Sequence, residues 1–122
     1  MRGRVLLIED EPNIVEAIRF ILSRDGWRVD VLADGLAALQ AMRDRLPDVV
    51  VLDVMLPGRS GFDILSDMRA DAALAQVPVL MLTARGQSRD RDLALRIGAD
   101  RFMSKPFANE DVLAAVRELA GP

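Results

Sequence analysis

The sequence contains neither cysteine nor histidine. Disulfides, iron–sulfur clusters, thiolate or imidazole zinc sites and any Ser-His or Cys-His catalytic pair are thereby excluded. A histidine of this chain cannot carry a phosphoryl group either. Aromatic residues make up only 4%, with no tyrosine, which leaves little to stack on a flavin ring. Long apolar runs are missing too. The run from Val5 to Ile8 is stopped by Glu9, too short for a signal-peptide core or a bilayer span. The expected location is therefore the cytoplasm, away from membranes. Positive charge is not in excess: Lys+Arg 16 stand against Asp+Glu 19, a net charge of −3. A general nucleic-acid binder would present a basic surface, so direct nucleic-acid binding by this domain is not expected. Neither GxxxxGK[ST] nor GxGxxG occurs, which argues against an ATP or dinucleotide site.

What remains is a globular composition, 51% hydrophobic and 29% charged over 122 residues, the size of one domain spanning 1–122. Short apolar runs at 5–8, 29–32, 49–52, 77–82 and 101–104 alternate with stretches of helical spacing at about 12–25, 36–45, 61–69, 87–97 and 109–120. The middle runs are rich in Val, Leu and Ile without alternation, the pattern of strands covered on both faces. In the first helical stretch Ile14, Val15, Ala17, Ile18, Ile21 and Leu22 share one broad side, opposite Glu16, Arg19 and Ser23. Pro12 suits a first turn, Gly26 and Gly98 suit helix ends, and Asn109 suits an N-cap. Leu93, Ala94 and Ile97 form the expected inward stripe of the fourth helix. Five β-α units of this length predict an α/β fold, a doubly wound five-stranded parallel sheet of order 2-1-3-4-5, flavodoxin-like (βα)5.

In such sheets the ligand site lies at the carboxyl ends of the strands, where the order switches. The first strand ends in Glu9-Asp10-Glu11, the third in Asp53, the fourth in Thr83-Ala84, and the fifth is followed by Lys105-Pro106. Converging Glu9, Asp10 and Asp53 would raise one another's pKa, and a divalent cation would remove the conflict. Oxygen-only ligands select Mg²⁺, or Mn²⁺, over zinc or copper. The chemistry that suits this set is phosphoryl transfer onto a carboxylate, with Asp53 as nucleophile and Thr83 and Lys105 donating to phosphoryl oxygens.

The motifs Leu6-Leu7-Ile8-Glu9-Asp10-Glu11, Val51-Leu52-Asp53-Val54-Met55-Leu56-Pro57-Gly58, Thr83-Ala84 and Gly98-Ala99-Asp100…Lys105-Pro106-Phe107 together resemble the receiver domain of two-component response regulators. The resemblance runs from about Arg4 to Leu119. It implies that Asp53 is a phosphoacceptor loaded from a phosphohistidine on a sensor histidine kinase or phosphotransfer protein. Glu9, Asp10, Asp53 and the backbone carbonyl of Met55 would hold Mg²⁺. Thr83, the Ala84 backbone N–H and Lys105 would bind the phosphoryl oxygens, and the Lys105–Pro106 bond would be cis. Thr83 and Phe102 would form the switch that reshapes the surface of the fourth helix, fifth strand and fifth helix. The side chains of Met55 and Arg85 would tune hydrolysis of the acyl phosphate. Asn13, Ala17, Phe20, Ile21, Pro106 and Phe107 would dock the kinase.

A downstream protein target or a fused output domain would read the switch. Family members that dimerise through the switch face carry acidic residues near Arg96 and Arg101 and an arginine near Ala115. This chain reverses the first two and lacks the third, so a monomer or a non-standard dimer is expected. The expected role is a switch rather than a turnover enzyme. The alternatives are a pseudo-receiver interaction module, which normally lacks one of the key residues, and a Mg²⁺-dependent phosphatase of the haloacid-dehalogenase kind. The latter wants a second Asp two places after the nucleophile, where this chain has Met55.

Overall fold

The computed structural model describes residues 2–84 and 88–121. Strands β1 (Gly3–Ile8), β2 (Trp27–Leu32), β3 (Val49–Asp53), β4 (Val79–Thr83) and β5 (Arg101–Ser104) alternate with helices α1 (Pro12–Arg24), α2 (Ala38–Asp44), α3 (Gly61–Ala70), α4 (Ser88–Ile97) and α5 (Asn109–Ala120). All neighbouring strands are parallel and the order is β2-β1-β3-β4-β5, as the alternation predicts. No described helix is long and apolar enough to cross a membrane.

Period-2 side-chain alternation divides the core between the two faces of the sheet. Leu6, Ile8, Val50, Leu52, Val79 and Met81 point to one face, under α2, α3 and α4. Val5, Leu7, Val49, Val51, Leu80 and Leu82 point to the other, under α1 and α5. The central strands β3 and β4 are buried at every position, which explains why they read as unbroken apolar runs.

Several boundaries and packing assignments differ from those the sequence predicts. β4 starts at Val79 rather than residue 77: the Val77 N–H is spent on Leu74 O in a turn, and Pro78 has no N–H for the ladder. The second helical stretch opens as a 3₁₀ turn (Gly35–Ala37), because the Asp34 carboxylate accepts the Leu36 N–H and tightens the entry. α5 has Ala108, not Asn109, at its N-cap; Asn109 is already helical, and Glu110 and Asp111 supply negative charge to the first turn instead. Leu93 is 37% exposed rather than inward, so Ala94, fully buried, and half-buried Ile97 seat α4. Residues 85–87, including Arg85 and the expected helix start at Gln87, lie outside the described residues. Gly26 and Gly98, at φ of 96° and 129°, do end α1 and α4.

Arg69 on α3 ties α3 to the end of α4 and to the loop before β4. It donates to Gly98 O (3.0 Å), Ala75 O (3.1 Å), Val77 O (2.8 Å) and Asp100 Oδ2 (3.1 Å), while the same Asp100 oxygen accepts the Val79 N–H at 2.8 Å. One guanidinium thus satisfies the end of α4 and the loop into β4. Arg69→Ala strands three carbonyls that water can only partly reach, and a loss of about 1–1.5 kcal/mol is expected from the urea unfolding midpoint.

At the amino ends of the strands, Asp25 gathers Arg2, Arg117 and the Trp27 indole N–H, and Arg117 holds its carboxyl down at about 2. Arg2 and Gly121 line the same hollow there, with Trp27, Asp48 and Glu118.

Candidate functional site at the carboxyl ends of the strands

β1 and β3 are adjacent and in register, Ile8 beside Leu52, so the residues that follow them meet. Glu9 and Asp53 are 0% and 3% exposed, and one carboxylate oxygen from each of Glu9, Asp10 and Asp53 falls within a 4.8 Å cluster. Glu9 is held by its neighbours: its Oε2 accepts the backbone N–H groups of Asp10 and Glu11, both at 3.1 Å. Asp53 is fixed from behind. The Gly61 N–H donates to Val54 O at 2.9 Å, and a Cβ on Gly61 would come within 2.2 Å of Asp53 O, so only glycine lets α3 start this close to the strand end.

Lys105 enters from the end of β5, where its N–H donates to Thr83 O at 2.7 Å and its bond to Pro106 is cis. Its ammonium lies 2.8 Å from Glu9 Oε1, 3.3 Å from Glu11 Oε1 and 3.4 Å from Asp53 Oδ1. Burial pushes the Asp53 carboxyl up to about 6; the Glu9 charge adds to the rise and Lys105 opposes it. Burial also works against the Lys105 charge, but Glu9, Asp53 and Glu11 outweigh it and hold that pKa above its ordinary value. The contacts of Lys105 with Glu9 Oε1 and Asp53 Oδ1 are ion pairs without aligned hydrogen bonds, so both buried oxygens keep acceptor capacity. Among the described residues one ammonium faces four carboxylates, two of them buried, which leaves net negative charge at the site. Oxygen-only donors, unspent lone pairs and excess negative charge fit a hard divalent cation.

Around this centre Thr83 is buried and Ala84 exposed, and the Met55 side chain is 72% exposed at the rim. Phe102 is half-buried beside Met81 and packs on the α2–α3–α4 side of the sheet. The residues expected to dock a partner divide between two hollows. Asn13, Ala17, Pro106 and Phe107 line a groove of about 420 Å³ with Glu11, Ala84 and Lys105. Phe20, 63% exposed with the Arg24 guanidinium 5.5 Å from its ring centroid, and Ile21 lie outside that groove, in a second hollow shared with Leu113 and Glu110. Glu11 was not among the residues the motifs single out for a role; the third acid of the Glu9-Asp10-Glu11 run was the available signal.

The response regulator receiver domain family matches residues 5–117. The chain belongs to that family. The DNA-binding response regulator MtrA of Mycolicibacterium smegmatis is 41% identical over 117 residues, which cover 96% of this chain and 50% of that protein. The transcriptional regulatory protein CreB of Escherichia coli is 42% identical over 118 residues, 97% of this chain and 51% of that one. This receiver domain thus spans about half the length of the curated relatives it matches. Among solved structures, the receiver domain of the sensor histidine kinase PA1611 from Pseudomonas aeruginosa superimposes with a TM-score of 0.89 at 28% identity, covering 98% of both chains, and holds a magnesium ion coordinated in its active-site cleft. Receiver domains are phosphoacceptor switches of two-component systems rather than turnover enzymes.

Proposed function

We propose that Asp53 accepts a phosphoryl group from a phosphohistidine on a sensor histidine kinase or phosphotransfer protein, and that the acyl phosphate reshapes the α4–β5–α5 surface for a downstream target or output domain in the cytoplasm. The observation that carries this reading is the pairing of a buried Asp53 carboxylate with Lys105 at 3.4 Å, beside Glu9 and Asp10. An Asp53 carboxyl near 6 is mostly ionised at neutral pH and needs no general base. Its oxygen attacks phosphorus in line; the O–P bond forms as the donor N–P bond breaks, and the imidazole leaves with the bonding pair. Lys105 and the Thr83 hydroxyl stabilise charge on the transferred oxygens, with the Ala84 N–H beside them. Glu9, Asp10, Asp53 and the Met55 carbonyl would hold Mg²⁺, or Mn²⁺. When bound, the ion offsets the oxygens' negative charge.

Thr83 moving toward the new oxygens makes room under Phe102, whose half-buried position next to Met81 leaves it a choice of packing. The donor docks on the Asn13–Ala17–Pro106–Phe107 groove, with Phe20 and Ile21 extending the contact along α1. Met55 shields the acyl phosphate from water, and Arg85 is assigned the same role. Arg101 is committed to Glu118 of its own α5 at 2.9 Å, and Ala115 faces the core, which favours a monomer or a non-standard dimer.

Incubating the protein with a small acyl phosphate and Mg²⁺ tests the chemistry. Mass spectrometry is expected to find one phosphate on the wild type and none on Asp53→Asn. Phosphate on the variant, or none on either protein, refutes the reading.

A further inference from the structure

The structure assigns a function to Glu11: we propose that it is a latch that holds the Lys105 ammonium back from the position of the incoming phosphoryl group. This rests on the phosphoacceptor reading of the same site. Of the three carboxylates that contact Lys105, Glu9 and Asp53 are buried and belong to the cation cluster, whereas the Glu11 side chain is 59% exposed and stands outside that cluster. A cation taken up by Glu9, Asp10 and Asp53 competes with Lys105 for the first two carboxylates. Glu11 is then the remaining anion on the lysine.

The backbone at Glu11 makes this possible. Glu11 is the N-cap of α1, and its carbonyl accepts the Ile14 and Val15 N–H groups at 3.1 and 3.0 Å. Its carboxylate, however, caps nothing and reaches back to Lys105 at 3.3 Å. A helix N-terminus attracts a carboxylate, so a side chain turned from it toward an ammonium reports the pull of that ammonium. Because Glu11 sits on the rim, it can release the lysine to water at small cost, and an exposed pair of this kind is weak enough to exchange. Phosphoryl oxygens entering beside Asp53 must take the ammonium from it. The latch therefore sets how readily an unassisted anionic donor gains the lysine, and it lines the same groove as Asn13, Ile14 and Phe107.

Lys105 is the chain's one lysine, so its ammonium gives a single, self-assigned Nζ signal in ¹⁵N NMR. The test compares Glu11→Gln with Glu16→Gln, which removes the same charge from an exposed position on α1. In the unloaded protein, Glu11→Gln is expected to shift the Nζ resonance and speed its hydrogen exchange about threefold or more, while Glu16→Gln leaves both in place. Loading from a small acyl phosphate with Mg²⁺ should accelerate about three- to tenfold in Glu11→Gln and stay within about twofold in Glu16→Gln. An unchanged Nζ signal, a shifted signal with unchanged loading, or equal acceleration in both variants overturns the latch. Failure of the wild type to take up phosphate at all overturns the phosphoacceptor reading, and the latch with it; loading of the wild type with no effect of Glu11→Gln overturns the latch alone.

Discussion

Lys105→Met is expected to lower stability by about 3 kcal/mol at pH 7.5, a fall in Tm of about 10 °C for a domain of this size. The variant keeps most of the length of the side chain and removes the one cation that the described residues place in a site holding fully buried Glu9 and nearly buried Asp53. The cost is that of leaving buried carboxylates without a counter-charge. Its pH dependence has a definite sign. Asp53 already titrates near 6 in the folded protein, against 3.8 for an ordinary aspartate, with Lys105 pulling it down. Without the lysine it rises further, so the folded state binds more protons than the unfolded one across a wider window, and stability falls as pH climbs through it. The deficit should be greatest above pH 7 and shrink toward pH 4. Urea melts at both pH values check this; an equal deficit at the two would mean that lost packing, rather than charge, dominates.

Asp53→Asn is expected to do the opposite and stabilise the protein by about 2 kcal/mol at pH 7.5, raising Tm by about 6–8 °C. A carboxyl with a raised folded-state pKa destabilises the fold wherever it must ionise. That penalty is absent below about 3.8, grows between 3.8 and 6 and is complete above about 6. Removing the charge removes the penalty, so the gain should vanish in melts below pH 4. Millimolar Mg²⁺ should raise the Tm of the wild type and do less for the variant, because the ion relieves the same repulsion that the substitution deletes. A variant less stable than wild type at pH 7.5 would contradict the electrostatic account of the site. The site thus stores unfavourable energy in the resting protein, part of which a bound divalent cation would relieve.

Much of the fold was legible because β3 and β4 are buried on both faces, and all but the last residue of each is apolar. The acidic cluster was legible for a related reason: a run such as Val49 to Leu52 followed abruptly by Asp53 marks the carboxyl end of a strand. What could not be read depended on backbone groups or on neighbours distant in sequence. The Arg69 hub binds three carbonyl oxygens, which every residue possesses and no sequence pattern advertises. The exposure of Leu93 depends on which turn of α4 meets the sheet, and that turn is centred on fully buried Ala94. That Asn13 and Ala17 line one hollow with Phe107 while Phe20 and Ile21 line another depends on how distant elements meet, which helical periodicity alone does not give.

Arg2 and Gly121 share one hollow beneath the amino ends of the strands, whereas the carboxylates crown the opposite ends. A five- or six-residue strand separates the two poles by roughly 17–20 Å. Whatever is joined to the chain beyond Arg2 or Gly121 therefore meets the sheet at the pole away from the acidic mouth.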